Sequence, residues 1–271
     1  MPVSFDLFGT LVTATTPADP AAAVANELRD RGVAIPDDWA TAYRTPHIDA
    51  PTAAEIPLPA HVAAALRSRG VEAPDTTVRR PVIAAFDPEV RRQPGVDAAL
   101  DAARARGPVG LCSNCSVPEL VSRTLVRADL RDAFDAVVTS AACGFRKPHR
   151  RPFETVAAAL DADPTSLVHV GDDADADGGI ESLGGTFVDV AETPLTDLDD
   201  ALVRFGRRIK TTAIIRVVTL LIHSMRASGE LGPVLRIAAT QARSELQLRK
   251  RRRQQMLTYL VVIYISFIVF L

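Results

Sequence analysis

Carboxylates, a hydroxyl and a lysine recur in this sequence at the points where short apolar runs end. Asp6 follows the run "VSF" and enters a Gly-Thr turn in "FDLFGTL". Ser113 and Asn114 close "PVGLCSN", Lys147 lies in "GFRKPHRRPF", and Asp172, Asp173, Asp175 and Asp177 fill "HVGDDADADGG". A carboxylate delivered into a turn is placed for nucleophilic attack, and a nearby lysine can balance the charge that develops. An acidic loop without a matching Cys/His set favours magnesium over zinc. Each feature also has a bland use. The aspartate can shape its turn, the serine can pack, the lysine before proline can be solvated, and the acidic loop can simply be hydrated. Their order and common placement at strand ends argue for one site.

The elements that must position these residues are legible from periodicity. Apolar runs at 3–6, 108–114, 133–140, 166–173 and 186–190 read as buried strands. Between them, 95–106, 117–127, 152–161 and 178–183 read as helices, so the pattern is βαβ units on a mostly parallel sheet. Residues 18–31 read as a helix with Asp19 as cap, Pro20 at its start and Gly32 as its stop. Residues 33–60, broken by prolines, read as turns and short helices, and 60–69 and 76–86 as two further helices. The expected organisation is an α/β, Rossmann-like core at 1–12 and 93–200, with a helical cap at 13–92 inserted after the first strand. Such an insertion lies over the carboxyl edge of the sheet, where open α/β folds bind ligands.

Charge divides the chain. Residues 1–200 carry 31 Asp/Glu against 18 Lys/Arg, a net of −13, whereas 201–271 carry 2 against 13, a net of +11. The second segment, with apolar 211–223, a basic run RKRRR at 249–253 and uncharged 257–271, reads as a helical, membrane-directed tail. The fifteen uncharged residues are fewer than the roughly 20 a spanning helix needs, so they read as a span cut short. The basic run suits a membrane flank rather than nucleic acid. Three cysteines exclude a disulfide scaffold, and CxxC at 112–115 without a second pair argues against zinc. The N-terminus shows no signal peptide, placing the first segment in the cytoplasm.

The four stretches, in this order, resemble the four motifs of the haloacid dehalogenase-like hydrolase superfamily over about residues 3–190, and 13–92 resembles its helical cap. The resemblance implies that Asp6 is the nucleophile that forms an aspartyl ester, that Ser113 and Lys147 hold and neutralise the transferring group, and that Gly9, Thr10 and Asn114 contact substrate. It also implies Mg2+ held by Asp6, the Phe8 carbonyl, Asp172 and Asp177, and a small phosphorylated molecule as substrate. Backbone donors of the Phe8-Gly9-Thr10 turn are expected to meet the phosphate oxygens. The departure is Phe8, where phosphatase members carry an aspartate that protonates the leaving group. Three readings follow: a phosphatase with a weak or relocated acid/base, a 2-haloacid dehalogenase, or a relative that only binds. The anionic loop at 172–177 favours magnesium and phosphate. A family glycine expected after Asp177 is replaced by Ile180, which leaves Asp173 as a competing ligand. Residues 201–271 resemble a fragment of the archaeal TadC/FlaJ-type membrane protein of type II secretion-like systems, implying a membrane anchor and a secretion or pilus assembly ATPase as partner. A fusion or a truncated reading frame would explain the pairing of these two segments.

Overall fold

A computed structural model describes residues 1–204 and 206. Among the described residues seven strands form: β1 (Val3–Phe5), β2 (Val12–Ala14), β3 (Val90–Arg92), β4 (Val109–Ser113), β5 (Ala136–Thr139), β6 (Val168–Gly171) and β7 (Thr186–Asp189). Five of them make one sheet in the order β5-β4-β1-β6-β7, with every neighbouring pair parallel. β1 is central and wholly buried, which is why it reads as an apolar run broken only by Ser4.

Helices α5 (Val96–Arg104), α6 (Leu120–Arg127), α7 (Ser140–Cys143) and α8 (Arg150–Ala159), with a 3₁₀ segment at Gly178–Leu183, connect the strands of this sheet. Successive side chains of β4 go to opposite faces. Leu111 belongs to one buried cluster together with Leu100, Leu120 and Leu125. Cys112 belongs to another, with Phe153, Val156 and Ile180. The sheet is therefore covered by helical segments on both faces.

Between β2 and β3 the chain makes α1 (Pro20–Arg29), α2 (Trp39–Arg44), α3 (Leu58–Arg67) and α4 (Asp75–Ala85). Asp19 caps α1 by accepting from the Ala22 amide at 3.1 Å, with Pro20 in the first turn, as the local sequence predicts. Trp39 is buried within this helical block and donates its indole N–H to the Ala21 carbonyl at 2.8 Å. β2 and β3 pair antiparallel, Val12 opposite Arg92, so the chain leaves and re-enters the core side by side. The sequence reading missed this pair, because each strand is only three residues long and neither alternates in hydropathy.

The expected membrane-directed tail requires correction. No helix among the described residues is long and apolar enough to cross a membrane. The segment on which that expectation falls, from 207 onward, lies outside the described residues. The architecture is an α/β Rossmann-like core with a parallel sheet and a helical cap. The transmembrane helix, the membrane association and the secretion ATPase partner are withdrawn.

Candidate active site

The parallel sheet brings the carboxyl ends of β1, β4 and β6 side by side, and the chemistry-bearing residues follow those ends. Asp6 continues β1 with its amide donating to the Val170 carbonyl of β6 at 2.9 Å. At the centre lies Lys147, 3 % exposed. Its Nζ donates to Asp6 Oδ1 at 2.8 Å and to Asp177 Oδ1 at 2.5 Å. Burial alone would lower the Lys147 pKa, but the two carboxylates outweigh it and hold the ammonium above its usual range.

The two carboxylates respond differently to the same ammonium. Asp6 is raised to about 6, by burial first, with Lys147 opposing and the charges of Asp177 and Asp172 adding. Asp177 is lowered to about 2; burial would raise it, but hydrogen bonds from His169 and Lys147 prevail. The difference lies in donor count. Asp177 Oδ1 also accepts from His169 Nε2 at 3.0 Å, and its Oδ2 accepts from the Asp173 amide at 3.1 Å. Burial pushes His169 down to about 4, so it is a neutral donor at physiological pH. A carboxylate can only accept, so Nε2 carries the proton and Nδ1 accepts the Ser4 hydroxyl at 2.8 Å.

This Ser4–His169–Asp177–Lys147 chain is not among the features that the sequence singles out. The available signal is that Ser4 and His169 are polar residues inside two apolar strands, and the sheet register places them opposite one another.

Other expected site residues are placed as follows. Ser113 ends β4, is 2 % exposed, and its Oγ has no hydrogen-bond partner among the described residues. Asn114, expected to touch substrate, instead spends its amide on the loop of Lys147: Oδ1 accepts from the Lys147 amide at 2.8 Å, and Nδ2 donates to the Lys147 carbonyl at 3.1 Å. Thr10 is buried and donates to Asp172 Oδ1 at 2.9 Å. The Gly9 amide, expected to meet phosphate, donates to the Val12 carbonyl at 2.8 Å. Asp177, expected among the metal ligands, has both oxygens engaged as described above. Asp173 caps α9 (Ala174–Asp177) through the amides of Asp175 and Ala176 and is not drawn toward Asp6. Ile180 is wholly buried. The close approach expected of a glycine there falls on Gly179 instead, where a Cβ would stand 2.5 Å from the Pro148 carbonyl. Cys112 and Cys115 are pushed up to about 12 and 11 by burial, which makes them packing groups rather than nucleophiles.

Gly9 decides how the turn and the acidic loop meet. Its φ is +89°, and a Cβ there would lie 2.0 Å from Asp172 Oδ2. Gly9→Ala is expected to impose the left-handed penalty of about 1–2 kcal/mol and to displace Asp172 from Thr10. The expected fall in melting temperature is about 2–8 °C for a domain of this size. Thermal unfolding checks this, and an unchanged transition would show that the contact is not constraining.

Among the described residues no group of three or more His, Cys, Asp or Glu side chains is arranged to hold a metal, which excludes a closed zinc-type cage there. The donors do fit magnesium, which typically takes one or two carboxylates and completes its shell with water and substrate oxygens. Asp6 and Asp172 are oxygen donors flanking the turn that carries the Phe8 carbonyl. The space that a Cβ on Gly9 would fill is occupied by the Asp172 carboxylate.

Comparison with known proteins agrees with this geometry. A family model described as haloacid dehalogenase-like hydrolase matches residues 3–179. One described as type II secretion system protein F matches residues 195–271, almost all of it outside the described residues, and the archaeal TadC/FlaJ-type membrane segment expected there is withdrawn, since no helix among the described residues is long and apolar enough to cross a membrane. No curated protein matches. A solved structure of 2-haloacid dehalogenase from Pseudomonas syringae pv. Tomato DC3000 is similar, at 20% identity and TM-score 0.52 over 75% of this chain and 98% of that one. Also similar are CbbY from Rhodobacter sphaeroides in complex with phosphate (19% identity, TM-score 0.47, 69% and 84% covered) and a predicted phosphoglycolate phosphatase from Haemophilus somnus 129pt (19%, 0.45, 74% and 95%). Strand order, the strand-end carboxylates and the match over 3–179 lead to one assignment: the chain belongs to the haloacid dehalogenase-like hydrolase family.

Proposed function

We propose that this hydrolase cleaves phosphomonoesters through an aspartyl-phosphate intermediate on Asp6. In this reading the cap comprises 13–92 and the core 1–12 with 93–200. The observation that carries the reading is the charge arrangement around Lys147. One ammonium faces Asp6 and Asp177, with Asp172 close enough to raise Asp6 further. Such a site is short of positive charge by itself. It suits a divalent cation that arrives with an anionic substrate.

Asp6, Asp172 and the Phe8 carbonyl would hold magnesium, which when bound neutralises the phosphoryl oxygens. Asp6 attacks phosphorus with its free oxygen, the ester P–O bond breaks, and the electron pair leaves on the alcohol oxygen. Lys147 stays on Asp6 Oδ1 and orients the attacking carboxylate. Ser113 offers its unpartnered hydroxyl to a phosphoryl oxygen. Asp177 acts on Lys147 rather than on substrate, fixing its position through the His169 and Ser4 bonds behind it. Water then releases phosphate and regenerates Asp6.

Phe8 cannot donate a proton, so the leaving group must depart largely without help. General acid catalysis is worth about 10²–10⁴-fold, which points to aryl or acyl phosphates over alkyl phosphates. The same feature favours a second reading, carbon–halogen hydrolysis of a 2-haloacid, because halide leaves unprotonated.

One assay on the full chain separates the two. Phosphate release from an aryl phosphate and an alkyl phosphate, and halide release from a 2-haloacid, are measured with magnesium and with EDTA. The expected result is magnesium-dependent phosphate release that falls by about 100-fold or more in EDTA and is faster on the aryl ester by about 10²-fold or more. Halide release that survives EDTA, with no phosphate release, would replace the phosphatase reading with the dehalogenase one.

A further inference from the structure

Away from the Asp6–Lys147 cluster, a cleft of about 800 Å³ opens between α4 and α6. It shares no lining residue with that cluster. Its walls carry four guanidiniums, Arg31 just after α1, Arg79 and Arg80 on α4, and Arg123 on α6. Only two carboxylates join them, Asp87 and Glu119. Both are already committed. Glu119 Oε1 accepts from Arg79 at 2.6 Å, and Asp87 accepts two 2.6 Å bonds from Arg127. Arg31 is paired with Glu27. Neither the Arg80 nor the Arg123 guanidinium makes an ion pair or hydrogen bond among the described residues, although the Arg123 charge also helps hold the Asp87 carboxyl below its usual range.

This arrangement runs against the rest of the first 200 residues, which carry a net charge of −13. Many arginines elsewhere meet acids, as in Arg69–Asp38, Arg106–Asp199 and Arg150–Glu154, and those without an ion pair among the described residues, such as Arg44, Arg91 and Arg151, do not line this cleft. Here two unpaired guanidiniums, one from a helix of the cap and one from a helix of the core, line the same concave space. The two ion pairs Arg79–Glu119 and Arg127–Asp87 tie α4 and its exit to α6 and its start, so the walls are held while Arg80 and Arg123 stay unspent. Planar guanidinium forks match phosphate oxygens two at a time. The cleft's volume is in the range of small-molecule sites.

We propose that this cleft binds a small polyanion of the pyrophosphate type, with Arg80 and Arg123 as its principal contacts and Arg79 and Arg31 as flanking charge. The ligand bridges the last helix of the cap and the first core helix after Ser113. The site is independent of the phosphatase reading, because its claim concerns binding and none of its residues belongs to the catalytic cluster.

The test is isothermal titration of the full chain with inorganic pyrophosphate at physiological salt in EDTA, where the acid-lined catalytic site lacks the counter-charge to hold a polyanion. Saturable binding at millimolar concentration or tighter is expected. The double variant Arg80→Ala/Arg123→Ala should weaken it by at least about tenfold, the loss of two charge-assisted bonds. Turnover at Asp6 should be unchanged by that variant. Should the alanine protein fail to fold, Arg80→Gln/Arg123→Gln keeps the side-chain length without the charge, and the same weakening is expected. Absence of saturable binding to the wild-type chain overturns the proposal, as does pyrophosphate affinity that survives removal of both guanidiniums.

Discussion

Asp6→Asn is expected to lower phosphate release by about 10⁴-fold or more, the scale on which loss of a covalent nucleophile acts. The amide keeps the shape of the carboxylate, but its oxygen is a poor nucleophile and carries no charge toward Lys147 or a cation. The same substitution should leave the protein equally or more stable at pH 8. The sign follows from linkage. The folded-state pKa of Asp6 is raised from 3.8 to about 6 by burial above all. Its protonated form is therefore favoured by folding. That contribution is complete below pH 3.8 and is lost as pH rises through about 6. At pH 8 the wild-type protein bears the cost of an ionised buried carboxylate, and asparagine removes it. Steady-state phosphate release and a melting curve at pH 8, measured on one preparation, decide the matter. A variant that loses activity because its melting temperature collapses would refute the assignment of a chemical role to Asp6, and one that retains turnover would refute it outright.

Lys147→Ala should act in the opposite way on stability. It removes the ammonium bonded to both Asp6 and Asp177 and leaves two buried carboxylates facing each other. Removing one partner of a buried pair typically costs about 3–5 kcal/mol, which for a domain of this size is a fall of about 6–20 °C in melting temperature. Phosphate release should disappear with it. Coupling gives a sharper check. In the Asp6→Asn background the same lysine deletion strands only Asp177, which keeps its bonds from His169 and the Asp173 amide. The cost of Lys147→Ala should then shrink by about 1 kcal/mol or more, within the range of coupling between contacting residues. Calorimetry on the four proteins of this cycle measures it. Additive losses would mean that the two carboxylates do not share the ammonium energetically.

The order of elements was legible because it rests on local physics. Strands buried on both faces read as apolar runs, and α1 announced itself by Asp19 and Pro20. The strand-end placement of Asp6 and Ser113 followed from the same runs, whereas Lys147, expected at a strand end, lies in the loop after α7. The β2–β3 pair was not legible, since three-residue strands leave too short a period to detect. Nor were the partners that occupy Asn114 and Gly9. An asparagine beside a candidate serine reads as a substrate contact, and only the folded chain shows its amide clamping the Lys147 loop. A glycine in a turn reads as a free donor, and only the fold shows its N–H meeting Val12.

The amino-acid sequence by itself therefore determined the α/β class, the helical insertion after the first strand and the candidate nucleophile. Hydrophobic periodicity, capping and turn chemistry act over a few residues and leave their mark locally. Tertiary structure alone decided how the polar groups are spent. It set Ser4 against His169 across 165 residues, turned Asp177 from a free acid into the anchor of Lys147, and left the Ser113 hydroxyl without a partner among the described residues. It also gathered Arg31, Arg80 and Arg123 around one cleft. Hydrogen bonds and charge balance depend on strand register and on which helices meet, and those distances are set only when the chain has folded.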